Sequence, residues 1–344
     1  MITHRRKQKA SQAGAGFRSA RGDGARAEFL RGEALRMAGR FKTAIRRYEA
    51  ALKIKPCALE LRLEILIKKT ASARALGLAA KALGTAAAAL KLAHSAGVFV
   101  NEAELELALA QRLAGQFDKA EPALRRLGAL YRRRRDWMAV SFVLWALGGL
   151  WRLKGDYRAS IRAFEEAARL GGKAGDRAAR GYALFGLGGA LRVAGRVKSA
   201  LKPYREARAA FAGSSDVFAR AYAECGLANV LRQLGRTDEA LGGYRKAHKL
   251  YSGIKDGPDL GFVEWGIGEI YKKQGELARA GAAFKRAERL FSSGFEPRGL
   301  ILSRFSLAQV KYLEGKTAEA DRLYFRALKD SRRHSLHTYL EVFT

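Results

Sequence analysis

Seven basic side chains recur at one position of a repeating pattern. Arg36, Arg74, Arg112, Arg152, Arg192, Arg232 and Lys272 each stand three residues before a glycine, and Tyr312 completes the series. With 65 Lys and Arg in 344 residues, chance would put one or two basic residues in such a set. Six of the seven are arginine, whose planar fork of N–H donors matches carboxylate and phosphate oxygens. Seven residues further back lies a largely apolar series, Phe29, Ile67, Leu105, Trp145, Phe185, Cys225, Trp265 and Phe305. Phe142, Tyr182, Tyr222 and Phe262 add rings three residues earlier still. Guanidinium groups beside rings suit an anionic segment with apolar anchors. They equally suit phosphates with stacked bases. A plainer account also applies: cations in the last turn of a helix face the negative end of its dipole, worth about 0.3–1 kcal/mol each. The readings are compatible.

The glycines behind this series set the elements that must carry it. Gly115, Gly155, Gly195, Gly235, Gly275 and Gly315 follow one another at 40-residue intervals, and Gly39 and Gly77 precede them at 38. Five residues after each stands Ala44, Ala82, Ala120, Ser160, Ala200, Ala240, Ala280 or Ala320. Nine after stands Tyr48, Ala86, Leu124, Phe164, Tyr204, Tyr244, Phe284 or Tyr324. Twelve after stands Ala51, Ala89, Leu127, Ala167, Ala207, Ala247, Ala287 or Ala327. Steps of four and three keep these columns on one helical face. Small residues there admit a neighbouring helix, and the glycine supplies the left-handed turn that ends the helix before it. Eight helix pairs follow, each unable to bury its stripe alone.

This pattern resembles the tetratricopeptide repeat (TPR) family. The resemblance also rests on the pairs Leu147-Gly148 and Leu187-Gly188, on Ile267-Gly268 and on Pro56, and the 40-residue unit is similar to that of spindle-orienting scaffold adaptors. It implies an all-α fold, an α-solenoid forming a right-handed superhelix of about eight TPR-type helix pairs. The sequence divides accordingly into a disordered basic tail over 1–24, the solenoid over 25–328 and a C-terminal capping helix over 329–344. The second unit is the weakest, with Lys69 at a core leucine position and Ala86 in the aromatic column. In this family the first helix of each pair lines the concave groove. The resemblance therefore places Arg112, Arg152, Arg192, Arg232 and Lys272 in that groove as anion contacts, with Trp145, Phe185 and Trp265 as ring anchors. Of the rings, Trp145 and Trp265 are the expected exposed anchors. The family's clamp for chaperone C-termini uses paired Asn and Lys. Here Asn229 stands in a column otherwise holding Gly149, Gly189, Glu269 and Gln309, so that activity is not transferred, though Asn229 remains a candidate contact.

The net charge of +32 favours an acidic partner. The expected partner is an acidic, partly apolar protein or peptide segment, with RNA or DNA as the alternative. No phosphate-cradling loop or ligand-spaced His and Cys set occurs, and His334 and His337 have no carboxylate partner near in sequence. The chain reads as a non-enzyme without a cofactor. Cys57 and Cys225 form no disulfide framework, no apolar run follows the basic N-terminus, and no segment is apolar enough to insert in a membrane. A cytoplasmic location is expected.

Overall fold

The computed structural model describes residues 21–254, 256–294 and 296–333. These residues form sixteen α-helices and no strand. The chain divides into two compact units, Met1–Leu150 and Trp151–Thr344. The first holds α1 (Arg21–Met37), α2 (Phe41–Lys53), α3 (Leu59–Ala75), α4 (Ala79–Ala96), α5 (Val100–Leu113) and α6 (Phe117–Arg133). The boundary falls within α7 (Trp137–Lys154). The second unit holds α8 (Tyr157–Lys173), α9 (Arg177–Val193), α10 (Val197–Phe211), α11 (Val217–Gln233), α12 (Thr237–Ile254), α13 (Gly257–Lys273), α14 (Leu277–Gly294), α15 (Pro297–Leu313) and α16 (Thr317–Arg333).

The repeat columns account for this order. All eight hinge glycines take φ between 70° and 84°, the left-handed conformation that closes the first helix of a pair without a Cβ penalty. The two small-residue columns are buried along their whole length, and the aromatic column is buried except at Tyr324, which is 48 % exposed. The rings are seated on bare backbone. A Cβ on Gly188 would stand 2.6 Å from the Tyr204 ring, and one on Gly268 would stand 2.6 Å from that of Phe284.

Local hydrophobic clusters replace a single core, as expected where each repeat touches only its neighbours. Phe29, Tyr48 and Ile65 form one in the first unit, and Trp265, Phe284 and Phe291 form one in the second. The division into two units differs from the single array drawn over 25–328. Its outer limits shift too, since α1 begins at Arg21, inside the stretch assigned to the tail, and α16 continues to Arg333, past 328. Residues 1–20, and the capping helix beyond 333 with His334 and His337, lie outside the described residues. In the second pair Ala86 is fully buried, and Lys69 sets its ammonium 3.2 Å from Glu49.

Candidate functional site

Every basic residue of the series sits in the last turn of a first helix, three residues before a left-handed glycine. Their surroundings differ by unit. In the first unit Arg36 forks onto Glu33, with Nε and Nη2 donating at 2.9 and 2.8 Å, and Glu33 also accepts from the Tyr48 hydroxyl. Hydrogen bonds from Arg36 and Tyr48 outweigh burial and hold the Glu33 carboxyl below its usual range. Arg74 forks onto Glu106 at 2.9 and 3.2 Å. Arg112 donates to the Ala146 carbonyl at 3.0 Å and lies 5.3 Å from the ring centre of Trp145, itself half-buried beside Phe142. Gly149 makes room for it, because a Cβ there would meet Arg112 Nη1 at 2.7 Å.

In the second unit the same position opens on a cavity of about 460 Å³. Arg152, Arg192, Arg232, Phe185, Asn229 and Trp265 all contribute to its wall. Gly189 holds the place under Arg152 that Gly149 holds under Arg112, again 2.7 Å from Nη1. The Nε atoms of Arg192 and Arg232 are buried without a hydrogen-bond partner. Among the described residues no carboxylate pairs with Arg152, Arg192 or Arg232, whereas charged donors buried this deeply ordinarily find an acceptor.

The aromatic members are more deeply set than their exposed-anchor role requires. Phe185 is 8 % exposed and stacks on Tyr222, ring centres 3.6 Å apart. Trp265 corrects the expectation of an exposed anchor. It is 4 % exposed, its indole N–H donates to Ser306 Oγ at 2.9 Å, and only part of one face reaches the cavity, 5.0 Å from the Arg232 guanidinium. Its polar tip found a buried hydroxyl on α15, 41 positions along the chain. Ser306 passes the chain on to Glu269, which also accepts from Lys272. Lys272 is thereby neutralised; it also donates to Gln309 and lies outside the cavity wall. Asn229 accepts from the Tyr244 hydroxyl at 2.8 Å, so it orients a core ring as well as facing the cavity. Burial pushes the Cys225 thiol up to about 12, which leaves it without thiolate character near neutral pH.

Thus six of the nine residues singled out by sequence meet at one cavity, while Arg112, Trp145 and Lys272 stand apart from it. Two contributors were not foreseen. The glycines under the arginine heads read as failed clamp positions rather than as space, and Asp259, in the first turn of α13, lines the cavity's wall. Its signal was a departure from the repeat, since the residue three after the capping aspartate is alanine at 139, 179 and 219. Among the described residues no group of His, Cys, Asp or Glu could hold a metal ion.

A family profile for the tetratricopeptide repeat matches residues 219–293. No curated protein sequence matches the chain. Solved structures similar to it include the quorum sensor NprR of B. thuringiensis in its apo form, at TM-score 0.65 and 14 % identity over 89 % of this chain and 87 % of that one. A Rap protein complexed with competence and sporulation factor matches at TM-score 0.61 and 14 % identity, covering 93 % and 95 %. BtubC of P. vanneervenii matches at TM-score 0.50 and 19 % identity, covering 68 % and 93 %. At these identities the likeness is one of fold, an all-α array of tetratricopeptide-type helix pairs.

Proposed function

We propose that this protein, a member of the tetratricopeptide-repeat family, is an interaction scaffold that captures an acidic, partly apolar peptide segment through Arg152, Arg192 and Arg232. One observation carries the reading: three arginines converge on a single cavity with no carboxylate paired to any of them, and two of them bury an Nε that has no acceptor. An incoming carboxylate would satisfy those donors by charge-assisted bonds, and Phe185 with Tyr222 would flank its apolar neighbours. A Rap protein of the same fold has been solved with a bound factor, which accords with a capturing role. Arg112 and Lys272, already engaged with Ala146 and Glu269, would contribute field rather than contact. Among the described residues no helix is long and apolar enough to cross a membrane.

The test is affinity capture from lysate with the full chain, with and without nuclease. Arg192→Glu with Arg232→Glu abolishes capture of the protein partner, and Arg74→Glu, whose residue already has Glu106, leaves it intact. Unchanged capture by the double variant overturns the proposal. Capture that disappears with nuclease, or falls steeply with salt as phosphate contacts require, assigns the arginines to nucleic acid instead.

A further inference from the structure

The cavity has a second polar end. At the start of α7, α9 and α11, a capping aspartate (Asp136, Asp176 or Asp216) accepts from a backbone N–H three residues on, and that residue is alanine each time. At α13 the same cap, Asp256, accepts from the backbone of Asp259 at 3.2 Å. The backbone cap needs no side chain at this place, and the carboxyl of Asp259 is an addition that meets the side chain of Asp256. It lines the cavity together with Arg298 of α15, Tyr222 of α11 and Tyr251 of α12. Burial, then the neighbouring Asp256 and Glu296, holds that carboxyl well above its usual range, and Arg298 opposes them only in part.

The two ends face each other by construction. Because α9, α11 and α13 alternate with returning helices, they run in one direction and place the basic register, Arg192, Arg232 and Lys272, at their C-terminal ends. Asp259 lies at the N-terminal end of α13. Phe185, Tyr222 and the thiol of Cys225 form the wall between. About 460 Å³ lies within the roughly 300–1,000 Å³ of small-molecule sites and does not admit a folded helix.

We propose that the cavity is a two-ended site for a small zwitterion, with its carboxylate at Arg152, Arg192 and Arg232, its ammonium at Asp259 and its apolar body against Phe185 and Tyr222. This rests on the anion end proposed above and adds a second pole and a size limit. Short free peptides have this chemistry and the reach for it, since Asp259 and the basic register stand thirteen positions apart along α13, about 20 Å of helix that the arginine side chains shorten only in part. An ammonium seated on Asp259 favours the carboxylate form, so the carboxyl proton passes to the buffer as the salt pair forms. Binding therefore tightens as pH rises through the range in which the Asp259 carboxyl loses its proton, and its heat there varies with the ionisation enthalpy of the buffer.

Calorimetry on the full chain tests this with Gly-Phe-Gly, its N-acetyl form, its C-terminal amide and free phenylalanine. Each blocked form should bind at least tenfold more weakly than Gly-Phe-Gly. In Asp259→Asn, and in Asp259→Ala, which restores the residue of the sister repeats, acetylation should cease to matter while amidation still does. Arg192→Gln should show the converse. The tripeptide should bind more tightly than phenylalanine, which is too short to reach both ends, and equal or tighter binding of phenylalanine overturns the two-ended site. If acetylation has no effect on the unaltered protein while amidation weakens binding, the second pole is wrong and the anion end stands. If amidation has no effect either, both readings fall. Absence of heat from all four probes at millimolar concentration overturns the zwitterion, and the acidic-partner capture then stands or falls on its own test.

Discussion

Arg74 and Arg192 hold the same position, three residues before a left-handed glycine at the end of a first helix, and they lead opposite lives. Arg74 forks onto Glu106, whereas Arg192 buries an Nε with nothing to donate to. The difference lies in who supplies the acid. Three residues before the basic side chain stand Glu33 and Glu269 where Arg36 and Lys272 are neutralised, but Gly149, Gly189 and Asn229 before Arg152, Arg192 and Arg232. One register thus serves as structural ion pairing where an acid reaches it, from one turn away at Arg36 and Lys272 and from α5 at Arg74, and as an open anion site where none does.

Exchanging each arginine for methionine gives the largest contrast. Arg74→Met leaves Glu106 without its fork and should lower stability by about 1–3 kcal/mol, read as a lower denaturant midpoint. Arg192→Met removes an Nε that has no acceptor together with a contact to Tyr204, and should lower stability by less than Arg74→Met does, no more than about 1 kcal/mol, while losing affinity for carboxylate ligands. Equal losses would erase the distinction between the regions.

Alanine at the two small neighbours sharpens it. Gly189→Ala should push the Arg152 head aside and weaken carboxylate binding about tenfold, equivalent to ~1.4 kcal/mol, as titration calorimetry would read. Gly149→Ala should displace Arg112 from the Ala146 carbonyl, leaving affinity unchanged. Its cost of about 1 kcal/mol is largely offset by the gain in helix propensity, so stability moves little.

Backbone strain gives a similar but isolated effect in the first unit. Arg135, with φ of 54°, does without glycine in the turn before α7, where Gly175 serves at the turn before α9. Arg135→Gly should raise stability by about 1 kcal/mol, and calorimetric melting would show a Tm a few degrees higher.

Acidification should separate the regions most subtly. Glu33 titrates below its unfolded value, so its contribution is present above that value and is lost as pH falls through the folded one. Asp259 titrates above its unfolded value, so between the two values the native state keeps a proton the unfolded chain has lost, and stability there falls as pH rises. Hydrogen exchange at pH 4 relative to pH 7 should therefore show α1 less protected and the start of α13 more so. Parallel changes would count against the two assignments.

The fold was legible because its determinants are periodic and local. A glycine that must turn left-handed and alanines that must admit a helix leave marks every 40 residues, and the hinge and packing columns stand where the spacing put them. The site was legible in part. Position along the helix follows from the register, and so do Arg152, Arg192 and Arg232. What a side chain meets does not: Glu106 lies 32 positions from Arg74, and Ser306 lies 41 from Trp265. Trp265 was read as an exposed anchor because a tryptophan at a groove position looks available until its N–H partner is known. The acid one turn away from Arg36 and Lys272 is visible in the sequence as Glu33 and Glu269, in the column that also holds Asn229. Asp259 is hidden for a related reason, since it marks itself by departing from the alanine of 139, 179 and 219 rather than by recurring.

Tyr204 touches the bare backbone at Gly188, in its own repeat, and at Gly226, in the next, where added methyls would stand 2.6 and 2.4 Å from its ring. Phe164 on Gly186 and Tyr244 on Gly266 repeat the joint, so these modules each carry a tooth for a notch in the next. A chain built this way lengthens readily by copying whole 40-residue cassettes, since every copy brings a matching joint. It resists exchange of single helices, which would set a ring against an occupied slot.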